Sequence, residues 1–408
     1  MQRKVFVVLL ACLLASLVLT NELAALSTPA SLSLDAEVAL LVDSDSGQVL
    51  FSLDAERRVY PASLTKILTA LLALETCDLD EVVRVGEEVW LTPPDGSRAG
   101  LRPGDRLTLR ELLYGLLLPS GNDAAYSIAV HVARRTMGET LTIQQALTYF
   151  QQLQGARLQQ LGASDTHFVT PDGYHHPDHY TTAADLARVI RAALRWPEFR
   201  RIVGTALFRP PSVPGMIWRN SNVLLNPLAP EYFPAVTGLK TGTTPEAGYC
   251  LAATASADGI NLLSLVLRST RSGRWGDTRA LLNAGLHGYS AVYLSRAGQT
   301  MALARQRGFW GFRHISLVAG ETCRVLLRAG EQARIKPVIE WFPESLAAEG
   351  GERPILRRGL AAGSIVGSVS WLLDGELLGR TTLAINRRAW FWPQGVGNLR
   401  VVLGADSG

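Results

Sequence analysis

Lysine is scarce in this chain. Only four of its 40 basic residues are lysines (Lys4, Lys66, Lys240 and Lys336), and the other 36 are arginines. Arginine stays protonated in proteins, whereas a buried lysine can lose its proton and act as a base. A lysine kept against this bias is a candidate for work that arginine cannot do. Cysteine is scarce as well. Cys12 falls in an apolar N-terminal segment, which leaves Cys77, Cys250 and Cys323. Three widely spaced cysteines exclude a disulfide framework or a cysteine metal cluster. They are expected to be small buried residues, with one bridged pair as the alternative. Basic runs interleaved with aromatics are missing and the formal charge is only +4, so nothing points to nucleic acid. Internal repeats and low-complexity tracts are missing too.

What is present starts at the N-terminus. Arg3 and Lys4 precede an apolar run from Val5 to Leu19, about 15 residues and short for a spanning helix. Small and polar residues follow. Residues 1–30 therefore read as a secretory signal peptide, with an uncleaved anchor as the alternative.

The length suits about two domains. Residues 38–53 read as strand, turn, strand. Helices are expected over 63–75, 108–118, 123–136, 143–161 and 182–195, the last stopped by Trp196-Pro197. Strands are expected over 240–244, 249–256 and 260–268, then a helix over 277–287. Beyond Ser295 the pattern changes to short apolar strands and glycine turns, with a hairpin at Asp374-Gly375. The expected organisation is an α/β (α+β) domain over 31–295, a small all-β domain over 296–395 and a tail over 396–408. Trp390-Phe391-Trp392 either packs on the β domain or touches a membrane or partner.

Three short segments carry chemistry. In Ser63-Leu64-Thr65-Lys66 the serine and lysine share one helix face, three residues apart. A serine nucleophile beside a lysine base is one reading, and a solvent-facing lysine is the other. Pro119-Ser120-Gly121-Asn122 sits between two helices. Ser120 and Asn122 can point into one cleft, or either can cap the helix that follows. In Gly238-Leu239-Lys240-Thr241-Gly242-Thr243, Gly242 permits close approach to the backbone, Lys240 offers charge and Thr241 a hydroxyl. An edge-strand lysine that guards a sheet is the plainer alternative.

Together and in this order, S-x-x-K, S-x-N and K-T-G form the signature set of penicillin-binding proteins and β-lactamases. The chain resembles the low-molecular-mass D-alanyl-D-alanine carboxypeptidases, serine peptidase family S11. The resemblance runs through residues 60–70, 118–125, 166–173, 179–182, 220–225 and 240–249, and covers roughly 37–289 plus a small C-terminal β domain. It departs at Thr237, where relatives often carry an acid. It implies a β-lactamase/transpeptidase-like fold, with an antiparallel sheet flanked by helices and a helical subdomain. It also implies removal of the terminal D-Ala from peptidoglycan stem peptides, inhibition by β-lactams, and an exported enzyme with no cofactor and no metal. On this resemblance His175-His176-Pro177-Asp178-His179 is a loop rather than a metal cluster.

The resemblance assigns roles residue by residue. Ser63 would be the nucleophile, and Lys66, kept neutral by burial and by the Lys240 charge, its base. Ser120 would relay a proton, and Asn122 would hold the substrate amide. Backbone N–H groups of Ser63 and Thr243 would bind the oxyanion. Lys240, Thr241, Gly242 and Thr243 would receive the terminal carboxylate with Arg274, for which Arg268 and Arg271 are close competitors. No glutamate occurs from Thr140 to Pro197. This argues against a fast β-lactamase, since class A enzymes use a glutamate for deacylation. A D,D-endopeptidase and an idle penicillin-binding scaffold are the alternatives.

Overall fold

A computed structural model describes residues 32–307, 312–348 and 355–386. The proposed signal segment, the Trp390-Phe391-Trp392 cluster and the tail lie outside the described residues. Two units are present, one built on a five-stranded sheet and one on a seven-stranded sheet.

The first sheet is antiparallel. Its strands are β1 (Val38–Asp43), β2 (Val49–Leu53), β3 (Val236–Thr244), β4 (Gly248–Ala257) and β5 (Ile260–Ser269). Their spatial order is β2-β1-β5-β4-β3, so β3 is an edge strand. Side chains on a strand alternate between faces. Val38, Leu40 and Val42 of β1 accordingly join one core, while Ala39 and Leu41 join another. Both faces are covered, which is why β1 reads as an unbroken apolar run.

Seven helices dress this sheet: α1 (Lys66–Thr76), α2 (Leu109–Leu117), α3 (Asn122–Met137), α4 (Ile143–Gln160), α5 (Ala183–Ala193), α6 (Pro197–Val203) and α7 (Gly273–Gly288). α7 covers one face. α1 lies in the other core, packed on α2, α3 and α5. Every residue of α1 from Lys66 to Leu74 is buried, as expected for a helix without a polar face. Thr108 and Thr142 start α2 and α4 with capping boxes to Glu111 and Gln145.

Two local expectations are corrected. The Ser63 segment is not one helix: Ala62–Thr65 is a 3-10 turn that runs into α1 at Lys66. Pro197 does not simply end a helix but opens α6 as its first residue, a position where its missing N–H costs nothing.

The second unit contains β6 (Ser290–Ser295), β7 (Thr300–Arg307), β8 (Phe312–Ala319), β9 (Cys323–Leu327), β10 (Ile335–Trp341), β11 (Leu346–Ala348), β12 (Ile355–Leu356), β13 (Ile365–Leu373) and β14 (Glu376–Ile385). The seven-stranded sheet runs β10-β13-β14-β8-β7-β12-β11, and β6 pairs with β9. Asp374 and Gly375 both take positive φ between β13 and β14, as a two-residue hairpin turn requires. Arg324 reaches back to Asp43 at 3.1 Å. Among the described residues no helix is long and apolar enough to cross a membrane.

Candidate active site

The site lies where the 3-10 turn, the N-terminus of α3 and the edge strand β3 meet. Lys66 is fully buried. Its Nζ donates to Ser63 Oγ at 2.8 Å, Asn122 Oδ1 at 2.7 Å and the Asp172 carbonyl at 2.7 Å. The solvent-facing alternative for Lys66 is thereby excluded. Burial pushes its pKa down to about 8, while Asp172 and Asp123 pull it back up. The sequence expected burial and the Lys240 charge to keep Lys66 neutral, and burial is the main cause.

Ser63 is half-buried. The turn that carries it is strained and braced. Ala62 has φ 48°, a left-handed value uncommon for a residue with a Cβ. Thr65 Oγ1 donates to the Ala62 carbonyl at 2.9 Å. His179 Nε2 lies 2.8 Å from Thr65 Oγ1, and His179 Nδ1 accepts from the Val169 N–H at 3.1 Å. An accepting Nδ1 leaves the proton on Nε2, which donates to Thr65. Burial pushes the His179 pKa down to about 3, which keeps the ring neutral. His179, drawn from the histidine-rich loop, is thus spent on supporting the turn that carries Ser63.

Ser120 and Asn122 do not cap α3. Gly121 is the N-cap residue and makes no side-chain cap bond. Ser120 has φ 66° and is buried. Asp123 fixes this corner: its carboxylate accepts from the backbone N–H groups of Ala99, Gly100 and Leu101 at 2.7–3.0 Å. Asn122 N–H donates to the Ser97 carbonyl at 2.8 Å.

Lys240 is on the edge strand yet fully buried, so it is no surface guard. Its Nζ donates to the Thr241 carbonyl at 2.8 Å. Burial, then Lys66, then Arg274 hold its pKa well below the usual lysine range. Thr241 Oγ1 lies 2.6 Å from Ser221 Oγ. Gly242 packs against the nucleophile turn: a Cβ there would sit 2.9 Å from the Pro61 carbonyl and 3.3 Å from Ser63 N. Arg274, from the first turn of α7, donates to Thr243 Oγ1 at 3.2 Å and stacks over Trp275 and Tyr249. Arg268 instead pairs with Glu37 at 3.0 Å, and Arg271 is exposed. Of the three arginines the structure brings Arg274 to the cleft.

Sequence reasoning gave no role to Asp123, the Asp172 carbonyl, Thr65, His179 or Ser221. The Thr170-Pro171-Asp172-Gly173 block was a visible signal, although a backbone acceptor leaves no residue-type signature.

The cysteines need a correction. All three are free, and Cys77 and Cys323 are half-buried rather than buried. Cys77, Glu81 and His131 place ligand-type atoms within 4.8 Å of one another. Glu81 is already bonded there to His131, Arg135 and the Asp78 N–H, which is an ion-pair cluster.

Comparison with known proteins finds relatives over most of the chain. DacF of Bacillus subtilis, a D-alanyl-D-alanine carboxypeptidase, is 28% identical over 86% of this chain and 85% of its own length. DacC of Escherichia coli, described likewise, is 29% identical over 86% and 84%. Penicillin binding protein 5 from Haemophilus influenzae superposes with a TM-score of 0.72 at 26% identity, covering 88% of this chain and 98% of that one. The Streptomyces K15 DD-transpeptidase covers 64% of this chain at 29% identity, with a TM-score of 0.57. The family model of D-alanyl-D-alanine carboxypeptidases matches residues 24–270, and the chain belongs to that family, peptidase S11.

Proposed function

We propose that the protein is a serine-type D-Ala-D-Ala carboxypeptidase that trims the terminal D-Ala from peptidoglycan stem peptides. The observation that carries this is the 2.8 Å contact between Ser63 Oγ and a fully buried lysine whose pKa is brought down to about 8. A lysine in that state can be neutral near physiological pH and can take the serine proton.

The peptide's terminal carboxylate meets Arg274, Thr243 and Thr241 and supplies the anion that buried Lys240 lacks. Ser63 Oγ attacks the carbonyl of the penultimate D-Ala as Lys66 takes its proton. The N–H groups of Ser63 and Thr243 hold the oxyanion, on the strength of Gly242 letting the two segments approach. Ser120 passes a proton to the departing D-Ala amine, and Asn122 holds the substrate amide while keeping Lys66 in place. Water then releases the shortened peptide. A β-lactam acylates Ser63 in the same way and is released slowly. Export to the wall side of the membrane belongs with this substrate, and the N-terminal segment supports it.

Two measurements test the assignment. Mass spectrometry after penicillin exposure should find a covalent adduct that Ser63→Ala abolishes. Incubation with a pentapeptide ending in D-Ala-D-Ala should release free D-Ala. An adduct that persists in Ser63→Ala, or no D-Ala release, would sink it. Cleavage of cross-linked dimers in place of D-Ala release would mark an endopeptidase instead.

A further inference from the structure

Away from the catalytic cleft, a cavity of about 970 Å3 opens between α4, α5, α6, the β1–β2 turn and the ends of β3, β4 and β5. None of the cleft residues lines it. Five arginines do: Arg157, Arg188, Arg191, Arg195 and Arg200. Two acids, Asp45 and Glu75, face them.

The acids are already engaged. Glu75 pairs with Arg157 at 2.7 Å. The Asp45 carboxylate accepts from Asn261 Nδ2 at 2.9 Å and lies 3.8 Å from Arg324. Arg188 pairs with Asp185 at 2.6 Å. This leaves Arg191, Arg195 and Arg200 with no carboxylate partner among the described residues. Backbone carbonyls hold two of them in place. Arg191 donates to the Ser44 and Asp45 carbonyls at 2.9 Å each, and Arg200 to the Leu194 carbonyl at 2.8 Å. In addition, Arg157 Nε is buried without any hydrogen-bond partner. The lining adds hydroxyls from Thr237, Thr254 and Ser256, with Thr237 donating to Thr254 at 2.9 Å and Ser256 to Asn261 Oδ1 at 2.7 Å.

Arg191 is half-buried, and Arg195 repels it while Asp43 and Asp45 attract it through space. An anion entering this space relieves that repulsion, and the planar fork of arginine matches phosphate oxygens well. Three unpaired arginines exceed what one carboxylate can engage. Half-buried Arg191 and the buried Arg157 Nε lie deeper than a flat membrane surface reaches, which favours a soluble ligand.

We propose that this cavity binds a soluble ligand carrying two or more phosphate groups, of the diphosphate or phosphodiester class. Arg191, Arg195 and Arg200 grip the phosphates, and the lining hydroxyls orient the remainder.

Titration calorimetry on the full chain tests this with inorganic pyrophosphate and a short poly(glycerol phosphate). Saturable binding of at least one probe is expected, weakening as salt is raised. Arg195 and Arg200 are both exposed, so Arg195→Glu/Arg200→Glu should fold and keep the wild-type rate of penicillin acylation. Its affinity for the probe should fall by at least about tenfold. A second readout needs no variant: the bound probe should protect Arg195 and Arg200 of the wild type from phenylglyoxal modification. The proposal is overturned by no binding of either soluble probe, by equal affinity in the double variant, by absence of protection, or by binding to phosphatidylglycerol vesicles alone. Penicillin acylation reports separately on the catalytic assignment, so either reading can fail without the other.

Discussion

Gly242 presses its open face against the backbone nitrogen of Ser63, where a Cβ would come within 3.3 Å. The edge strand and the nucleophile turn can meet only because position 242 has no side chain. Gly242→Ala should push them apart and slow penicillin acylation roughly 10- to 100-fold, the scale expected for a misplacement of about 1 Å. Stopped-flow acylation kinetics check this, and an unchanged rate refutes the close-approach role.

Lys66→Arg should abolish acylation, because a guanidinium cannot give up its proton. The loss should reach roughly 10²- to 10⁴-fold, the usual contribution of a general base. As the proposed base Lys66 acts in its deprotonated form, and its pKa is about 8. Acylation should therefore rise with pH through about 8 and then level. A rate that falls over that range would show that the charged form is needed instead.

For Lys240 the requirement differs. Positive charge alone would let arginine serve in part, but Lys240 is fully buried. Lys240→Arg must overpack the cleft floor, costing about 1–3 kcal/mol of stability. A lowered melting temperature and a raised KM are the expected pair of results. Full thermal stability in this variant would show that the floor has room to spare.

Arg274→Ala should raise KM for a D-Ala-D-Ala peptide by about tenfold or more, the loss of one charge-assisted hydrogen bond. Arg268→Ala should leave KM unchanged, since Arg268 is bound to Glu37. Steady-state kinetics on both variants decide between the two arginines.

His179 offers an acid-stability test. Its pKa, about 3 in the folded protein, lies below the unfolded value of about 6.5. Between these limits the unfolded chain binds more protons, so stability falls as pH drops from about 6.5 toward 3. His179→Asn should flatten this acid limb in urea melts and cost about 1–3 kcal/mol at neutral pH through poorer support of Thr65. An acid limb identical to wild type would show that another group governs it.

The parts of the site visible in the sequence are those whose chemistry requires a residue type. Ser63, Lys66, Ser120, Asn122 and Lys240 stand out because hydroxyl, amine and amide groups recur in a known order. Supports made through the backbone do not stand out. The Asp172 carbonyl accepts from Lys66, yet any residue could have supplied a carbonyl. Asp123 resembles an ordinary first-turn acid, and only the fold reveals that it gathers three amides from the loop at 99–101. Periodicity likewise found α2 to α5 but missed α6, because Pro197 carries the same letter whether it stops one helix or starts another.

At the far side of the catalytic sheet, the Gln48 side chain both donates to the Leu326 carbonyl and accepts from its N–H, each at 2.8 Å. The Tyr289 hydroxyl donates to the Leu50 carbonyl at 3.2 Å. These contacts occupy polar groups along the β2 margin with residues of the C-terminal unit and its approach. A sheet otherwise has two margins at which another chain can add itself. Here one is obstructed internally, and the remaining margin is β3, beside the nucleophile. The C-terminal unit thus leans on one margin of the sheet, and the opposite margin is the strand that carries Lys240, Thr241 and Thr243.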